Sequence, residues 1–116
     1  MIELKENFVG TGEVKGFEFR QLKKNGKAFL YEVKSEYNYD GVPEIDVWYE
    51  VFERKISKEN ERMIGEEKVV FEEREMYPRS NAFGVWAFCI NSYDYACKKF
   101  HEITKIVTER EEKRNK

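Results

Sequence analysis

The sequence holds few of the residues that carry metal and redox chemistry. Its 116 residues include two cysteines, Cys89 and Cys97, and one histidine, His101. Two cysteines cannot build the disulfide framework of a small secreted domain, and one histidine leaves too few soft ligands for a zinc site. We therefore predict no metal and no cofactor, and we interpret both cysteines as reduced thiols that pack in a cytoplasmic protein.

A long apolar run is also missing. No uninterrupted apolar stretch approaches the roughly 20 residues of a membrane span. Glu3 and Glu6 stand where a signal peptide needs a basic region before its apolar run. These absences predict a soluble protein that has no membrane partner and stays in the cytoplasm.

Motifs for catalysis are absent or weak. Gly10-Thr11-Gly12 lacks the third glycine and the following helix of a phosphate-binding loop. Glu53-Arg54-Lys55, with Asp40 or Asp46 upstream, imitates the acidic pair and lysine of a metal-dependent nuclease core. Glu-x-Lys occurs three times in this charged chain, however, and residues 1–12 offer no helix, where such a core normally has one. We therefore predict a non-enzymatic protein and keep a nuclease-like enzyme as the least favoured alternative.

Aromatic residues, by contrast, are plentiful. Nine Phe, seven Tyr and two Trp make up 16% of the chain, and each buried ring removes a large area from water. A chain of this length supports one hydrophobic core without metals or disulfides. We expect one α+β domain over residues 1–108, followed by a charged, frayed C-terminal tail at 109–116.

Two alternating segments, 13–22 and 27–34, predict a β-hairpin around Asn25-Gly26. A two-residue turn would pair Phe19 with Glu32, whereas a three-residue loop pairs Phe19 with Tyr31. We therefore predict the three-residue loop, with Gly26 in the left-handed conformation of a β-bulge. This register puts five apolar side chains on one face of the sheet: Phe17, Phe19, Phe29, Tyr31 and Val33.

Three further segments have the character of strands. Residues 44–56 follow a polar connection at 37–43 and carry apolar side chains on both faces, which predicts a central strand. After a charged loop at 57–62, a fourth strand is predicted at 66–76. Residues 83–90 fit either a buried strand or a buried helical turn, and we favour the strand because the run is short and contains a glycine.

The C-terminal segment is predicted to be a helix. Asn91 or Ser92 can cap it, Asp94 complements the helix dipole, and apolar residues recur every three or four positions from Tyr93 to Val107. That apolar stripe needs a sheet face to pack on. We therefore predict an α+β fold, a small antiparallel sheet of four to five strands with one C-terminal helix packed on one face, in the order ββββ(β)α. Which face the helix covers stays open.

Charge is unevenly distributed along the chain. Residues 36–76 hold six Lys or Arg against thirteen Asp or Glu, whereas residues 1–35 hold seven against five and residues 77–116 eight against five. Basic side chains of the first hairpin can meet the phosphates of a single strand while rings stack on its bases. The candidate binding residues in this region are Lys15, Arg20, Lys23, Lys24, Lys27, Tyr31 and Trp48.

Residues 77–86 form the second candidate binding region. Tyr77, Arg79 and Trp86 belong to the residue types that are enriched at binding hot spots. The aromatic content also exceeds what one helix can cover, so an uncovered sheet face would need a partner. We therefore predict a binding or assembly module that associates with itself, or with another protein, through an aromatic sheet face or the helix. The alternative is a binder of single-stranded nucleic acid that uses the first hairpin.

Overall fold

An antiparallel sheet and one long helix make up the fold. The computed structural model describes residues 1–114, in which helix α1 spans Tyr93–Arg114. The strands of this part of the chain are β1 Asn7–Val9, β2 Glu18–Lys24, β3 Ala28–Tyr39, β4 Val42–Glu53, β5 Ile56–Ser57, β6 Asn60–Ile64, β7 Glu67–Phe71, β8 Arg74–Glu75 and β9 Ala87–Ile90. Five of them form one sheet in the order β1-β2-β3-β4-β9, in which all neighbours are antiparallel. The predicted α+β fold class is confirmed.

The first hairpin, β2 and β3, keeps the predicted face but not the predicted register. Phe19 pairs with Val33 and Tyr31 pairs with Gln21, so the prediction that Phe19 pairs with Tyr31 is wrong. The register differs by two residues, and a shift of two leaves each side chain on the face it had. The five apolar residues predicted for this face do share one cluster.

The loop of this hairpin explains the difference in register. Gly26 has the predicted left-handed conformation, with a φ angle of 81°. Asn25 Oδ1 accepts the backbone N–H groups of Lys27 and Ala28, each at 3.1 Å, and thereby holds a wider loop than predicted. The bulge that we predicted at the turn lies in β2 instead, between Gln21 and Lys23.

A tight turn joins β3 to β4 where we predicted a polar connection at 37–43. Strand pairing continues without interruption to Tyr39 and Val42, so that prediction is wrong. Asp40 and Gly41 lie between them with φ angles of 54° and 81°. Two successive positive φ angles match the right-handed twist of the flanking strands, which is why an Asp-Gly pair closes this hairpin.

Beyond the rest of the sheet, β3 and β4 extend as a two-stranded ribbon. β2 pairs with β3 only as far as Lys34, and β9 pairs with β4 only at residues 49–52. Residues 35–48 are here called the ribbon. Their polar and apolar side chains are exposed for most of this length, because no third strand or helix of residues 1–114 pairs with the ribbon.

The acidic middle of the chain forms two small two-stranded sheets instead of a loop followed by one strand. β5 pairs with β8, and β6 pairs with β7. The loop predicted at 57–62 is therefore largely strand, and the strand predicted at 66–76 is interrupted at residues 72–73. All five residues of β6 are exposed, since neither face of this strand is apolar throughout.

The strand predicted at 83–90 is confirmed only for its second half. β9 begins at Ala87, and residues 83–86 form a turn in which Gly84 has a φ angle of 88°. The N–H of Gly84 donates to the carbonyl of Ala87 at 2.8 Å. A side chain is strained at such a φ angle, so glycine allows the chain to turn just before it enters the sheet.

Helix α1 covers one face of the sheet. Leu30 and Val51 are fully buried on that face, against Ala96, Phe100 and Ile103 of the helix. The opposite face, which carries the aromatic side chains of β2, β3 and β4, packs against residues 77–86 and the N-terminal segment. Both faces of β4 are therefore covered over residues 49–53, as predicted, whereas its first half belongs to the exposed ribbon.

The helix continues into the predicted tail. Residues 109–114 are helical, and among them Arg110 pairs with Glu53 and Glu111 pairs with Lys27. Residues 115 and 116 of the predicted tail lie outside the described residues, and a domain boundary at 108 stays a prediction. No helical segment within residues 1–114 combines the length and apolar character needed to cross a membrane.

Candidate binding site at residues 77 to 86

Tyr77 anchors this segment to the aromatic face of the sheet. Its ring packs edge-to-face against four others, with centroids 4.8 to 5.6 Å apart: Phe8, Phe19, Tyr31 and Phe52. Its hydroxyl donates to Glu50 Oε1 at 2.8 Å. Burial, followed by the negative charge of Glu50, raises the pKa of Tyr77 far above its ordinary value, so the hydroxyl stays a donor. The expectation that this sheet face is open for a partner is therefore wrong, because the chain covers it.

Tyr31 lies beneath this cover and is fully buried. Its hydroxyl donates to the carbonyl of Lys5 and accepts from Gln21 Nε2, both at 2.8 Å. Burial raises the pKa of Tyr31 to about 12. A ring held in this way is not exposed for stacking on a base, which corrects its prediction as a binding residue.

The other predicted residues of the first hairpin do not converge. Arg20 pairs with Glu32 at 3.4 Å and Lys27 pairs with Glu111, whereas Lys15, Lys23 and Lys24 form no ion pair with a side chain that the structure describes. Cross-strand pairs place Arg20 on the same face as Tyr49, and adjacent residues of a strand point to opposite faces. Trp48 therefore lies on the other side of the sheet from Arg20.

Three arginines line one cavity beside residues 77–86. This cavity, here called the arginine cavity, has a volume of about 420 Å³ between the β6–β7 hairpin, β8 and the 77–86 segment. Its charged side chains are Arg62, Arg74, Arg79 and Glu72. None of the three arginines forms an ion pair with a side chain that the structure describes, whereas Arg20, Arg54 and Arg110 each pair with a glutamate. An excess of two positive charges thus stands in a chain whose net charge is −2.

Two half-buried rings belong to the same cavity. The ring of Trp86 packs edge-to-face against Phe52, at a centroid distance of 6.3 Å. The backbone carbonyl of Trp86 accepts the N–H of Glu53 at 3.1 Å. Lys55 Nζ lies 5.6 Å from the centroid of the Trp86 ring. The guanidinium carbon of Arg62 lies 5.8 Å from the centroid of the Phe71 ring. Cations and ring faces are therefore already neighbours in this cavity.

The N-terminal segment holds β8, and with it Arg74, in place. Ile2 exchanges backbone hydrogen bonds with residues 73 and 75, both at 2.9 Å. Glu75 Oε1 accepts the N–H of Leu4 at 2.9 Å, and Glu75 Oε2 pairs with Arg54 at 2.5 Å. Because the carboxylate of Glu75 pairs with Arg54, this carboxylate does not neutralise the charge of the neighbouring Arg74.

A second and larger cavity lies on the other side of Arg79. It measures about 730 Å³, it is lined by Glu50 among other residues, and it is here called the Glu50 cavity. Phe8, Tyr77 and Phe83 line its walls. A Cβ atom on Gly10, another lining residue, would lie 2.3 Å from the carbonyl oxygen of Val14, so only glycine permits this wall. Arg79 lines both cavities, which are therefore adjacent.

The two carboxylates of the nuclease-like alternative are not brought together. Asp46 and Glu53 are seven positions apart in β4, and an odd separation along a strand places them on opposite faces. Glu53 pairs with Lys55 and with Arg110. Among the side chains that the structure describes, no group of three or more His, Cys, Asp or Glu is placed to hold a metal ion.

Sequence reasoning found Tyr77, Arg79 and Trp86 but missed Arg62, Arg74 and Glu50. The two arginines stand in the most acidic part of the chain, so the net charge of that segment gives no indication of a basic site. No local sequence pattern indicates one either. Glu50 did carry a signal, because it lies between Trp48 and Phe52 in the alternating row that faces the aromatic core.

Known proteins offer no guide to this site. In comparisons with protein-family models, with curated proteins and with solved structures, this chain matches none. The functional proposals that follow are therefore supported by the geometry of the two cavities.

Proposed function

We propose that this chain is a non-enzymatic module that binds single-stranded nucleic acid in the arginine cavity. The observation that carries the proposal is the group formed by Arg62, Arg74 and Arg79, which share one cavity with Trp86 and Phe71 and form no ion pair with any side chain that the structure describes. Such a combination of guanidinium groups and rings suits a ligand that has both phosphates and bases.

The arginines supply the phosphate contacts. A guanidinium presents donors in a planar fork that matches phosphate oxygens, and it stays charged at any physiological pH. Local positive charge within a cavity raises the concentration of anions there even when the protein as a whole is acidic. The net charge of −2 therefore does not oppose binding at this site.

The rings and amides supply the contacts to a base. Bases stack on aromatic side chains, and this stacking is worth about 1–3 kcal/mol per base. Trp86 and Phe71 are both half-buried, so part of each ring is accessible, and Asn60 and Asn81 add amide donors and acceptors. A volume of about 420 Å³ lies within the range of small-ligand sites.

A single strand fits this surface better than a duplex. A two-stranded β-ribbon is the kind of element that can enter a major groove. The ribbon of this chain, however, carries carboxylates and no Lys or Arg, so phosphates would repel it: Glu36, Asp40, Glu44 and Asp46. The bases in a duplex are also paired and stacked, whereas a cavity needs a base that is free.

Fluorescence anisotropy of a labelled single-stranded oligonucleotide of about 12 nucleotides tests the proposal. Titrations at roughly 50 and 200 mM salt should show binding that weakens steeply with salt. In single strands each phosphate contact contributes about 0.7 to the slope of log K against log salt. A variant with Arg62, Arg74 and Arg79 changed to alanine should therefore bind weakly, with a slope smaller by about 2.

The matched control removes the same positive charge from the first hairpin. Changing Lys15, Lys23 and Lys24 to alanine leaves the arginine cavity intact, and among the described side chains these lysines also have no ion-pair partner. We expect this control to retain most of the wild-type affinity. The proposal is wrong if the folded wild-type protein does not bind at low salt, or if the lysine variant loses more affinity than the arginine variant.

Self-association is a second proposed function, and the ribbon is the observation that favours it. Tyr37, Tyr39 and Val42 are 45%, 71% and 55% exposed on one face of the ribbon, because Tyr37 and Tyr39 are two positions apart and Tyr39 pairs with Val42. A second copy of the chain would shield these side chains. Sedimentation equilibrium at rising protein concentration should show a mass above the 14.0 kDa monomer, and Val42→Lys should restore the monomer. A constant monomeric mass contradicts this function.

A further inference from the structure

The carboxylate of Glu50 has unused acceptor positions inside the Glu50 cavity. Oε1 accepts the hydroxyl of Tyr77 and Oε2 accepts Trp48 Nε1, each at 2.8 Å. No Lys or Arg of residues 1–114 lies within ion-pair distance of Glu50. Because each carboxylate oxygen has two lone pairs, one acceptor position remains on each oxygen. The cavity therefore offers two neighbouring acceptors that carry negative charge.

Guanine is the one common base that has two neighbouring donors on its Watson–Crick edge. Its N1–H and its N2 amino group lie side by side and can donate together to one carboxylate. Adenine and cytosine place one amino donor beside a ring-nitrogen acceptor, and uracil and thymine place one N–H between two carbonyl oxygens. In each of these other bases a lone pair faces the carboxylate and repels it.

The walls of the cavity suit a base. Phe8, Tyr77 and Phe83 contribute rings, Pro78 contributes an apolar surface, and a volume of about 730 Å³ holds a nucleobase with its sugar. Unpaired bases are bound in this manner, with stacking on aromatic side chains and hydrogen bonds to the Watson–Crick edge. Tyr77 contributes to both, because it lines the wall and also holds Glu50 in position.

Arg79 connects this cavity with the arginine cavity, since it lines both. We infer that the protein prefers single strands that contain an unpaired guanine, which enters the Glu50 cavity while the phosphate beside it contacts Arg79. This inference rests on the proposed binding of single-stranded nucleic acid. It adds base specificity, for which Glu50 is the determining residue.

Oligonucleotides that differ at one base test the inference on the unaltered protein. Each is a thymidine strand of the same length with guanine, adenine or hypoxanthine at the centre. Hypoxanthine is guanine without the N2 amino group, so it keeps N1–H and loses the second donor. A bidentate contact discriminates by about fivefold or more. We expect the guanine strand to bind at least fivefold more tightly than the adenine strand, with hypoxanthine in between.

Two variants locate the preference within the protein. Glu50→Gln replaces one acceptor oxygen by an amide donor, so the ratio of affinities for guanine and adenine strands should fall to about one. Glu44→Gln removes the same charge from the exposed ribbon and should leave the ratio unchanged. Thermal melting confirms that each variant is folded, and the hypoxanthine comparison does not depend on any variant.

The outcomes separate this inference from the proposed function. Equal affinity for all three strands, together with loss of binding in the arginine variant, overturns guanine preference and leaves single-strand binding intact. A guanine preference that survives Glu50→Gln also overturns it. Absence of binding to every strand by the folded protein overturns both proposals.

Discussion

Replacing Tyr77 with phenylalanine removes a single hydroxyl and leaves the ring at the centre of the aromatic face. The hydroxyl donates to Glu50 Oε1 at 2.8 Å, and a hydrogen bond to a charged group contributes about 1.5–3 kcal/mol. Glu50 is half-buried, so water reaches the carboxylate and reduces the loss. We expect Tyr77→Phe to lower the free energy of unfolding by about 1–2 kcal/mol.

Urea denaturation measures this change. With a slope of about 2 kcal/mol per molar urea, the midpoint should fall by roughly 0.5–1 M. Tyr77→Ala is the informative comparison, because it also removes the edge-to-face packing on four rings, and large aromatic-to-alanine changes in a core cost about 3–5 kcal/mol. A midpoint for Tyr77→Phe equal to that of the wild type would refute the argument that this hydrogen bond stabilises the fold.

The same variant gives a second readout at high pH. Burial raises the pKa of Tyr77, and it raises the pKa of Tyr31 to about 12. Above a pH of about 10 the unfolded chain loses these protons while the folded chain keeps them, so the folded state loses stability as pH rises. Each such group contributes up to ~1.4 kcal/mol per pH unit. We expect the wild-type stability to fall more steeply than that of Tyr77→Phe between about pH 10 and 12, and equal slopes would contradict this.

Two further predictions concern the helix and the N-terminal segment. Phe100→Ala removes a ring that is 4% exposed between α1 and the sheet, and thermal melting should show a loss of about 3–5 kcal/mol. Ile106→Ala, on the same helix but 46% exposed, should change stability by less than about 0.5 kcal/mol. Gly10→Ala places a Cβ atom 2.3 Å from the carbonyl oxygen of Val14, so we expect a loss of about 1–3 kcal/mol in urea denaturation. A Gly10→Ala variant as stable as the wild type would show that this wall of the Glu50 cavity adjusts freely.

Side-chain faces could be predicted from the sequence, whereas strand register could not. Alternation fixes which residues of β2, β3 and β4 share a face, and those predictions are confirmed. A register shift of two residues preserves every face, so alternation cannot detect it. The actual register depends on the side chain of Asn25, which widens the loop through two hydrogen bonds to the backbone.

The candidate site could be predicted only in part, because it is assembled from distant segments. The 77–86 segment was recognisable from its residue types. Arg62 and Arg74 join it only because the β6–β7 hairpin and β8 fold beside it, and local pattern carries no information on that arrangement. The prediction that the aromatic sheet face is uncovered was wrong for the same reason. Tyr77, which packs on Tyr31 and covers that face, lies 46 positions further along the sequence.

Mapping of backbone amide shifts in the isotope-labelled protein, titrated with a single-stranded oligonucleotide, tests the central claim most directly. The measurement locates the ligand without any change to the protein. We expect the perturbed amides to lie around the arginine cavity, in residues 60–62, 71–74 and 79–86. Perturbations confined to residues 13–34 of the first hairpin, or no perturbation at low salt, would contradict the claim that this cavity binds single strands.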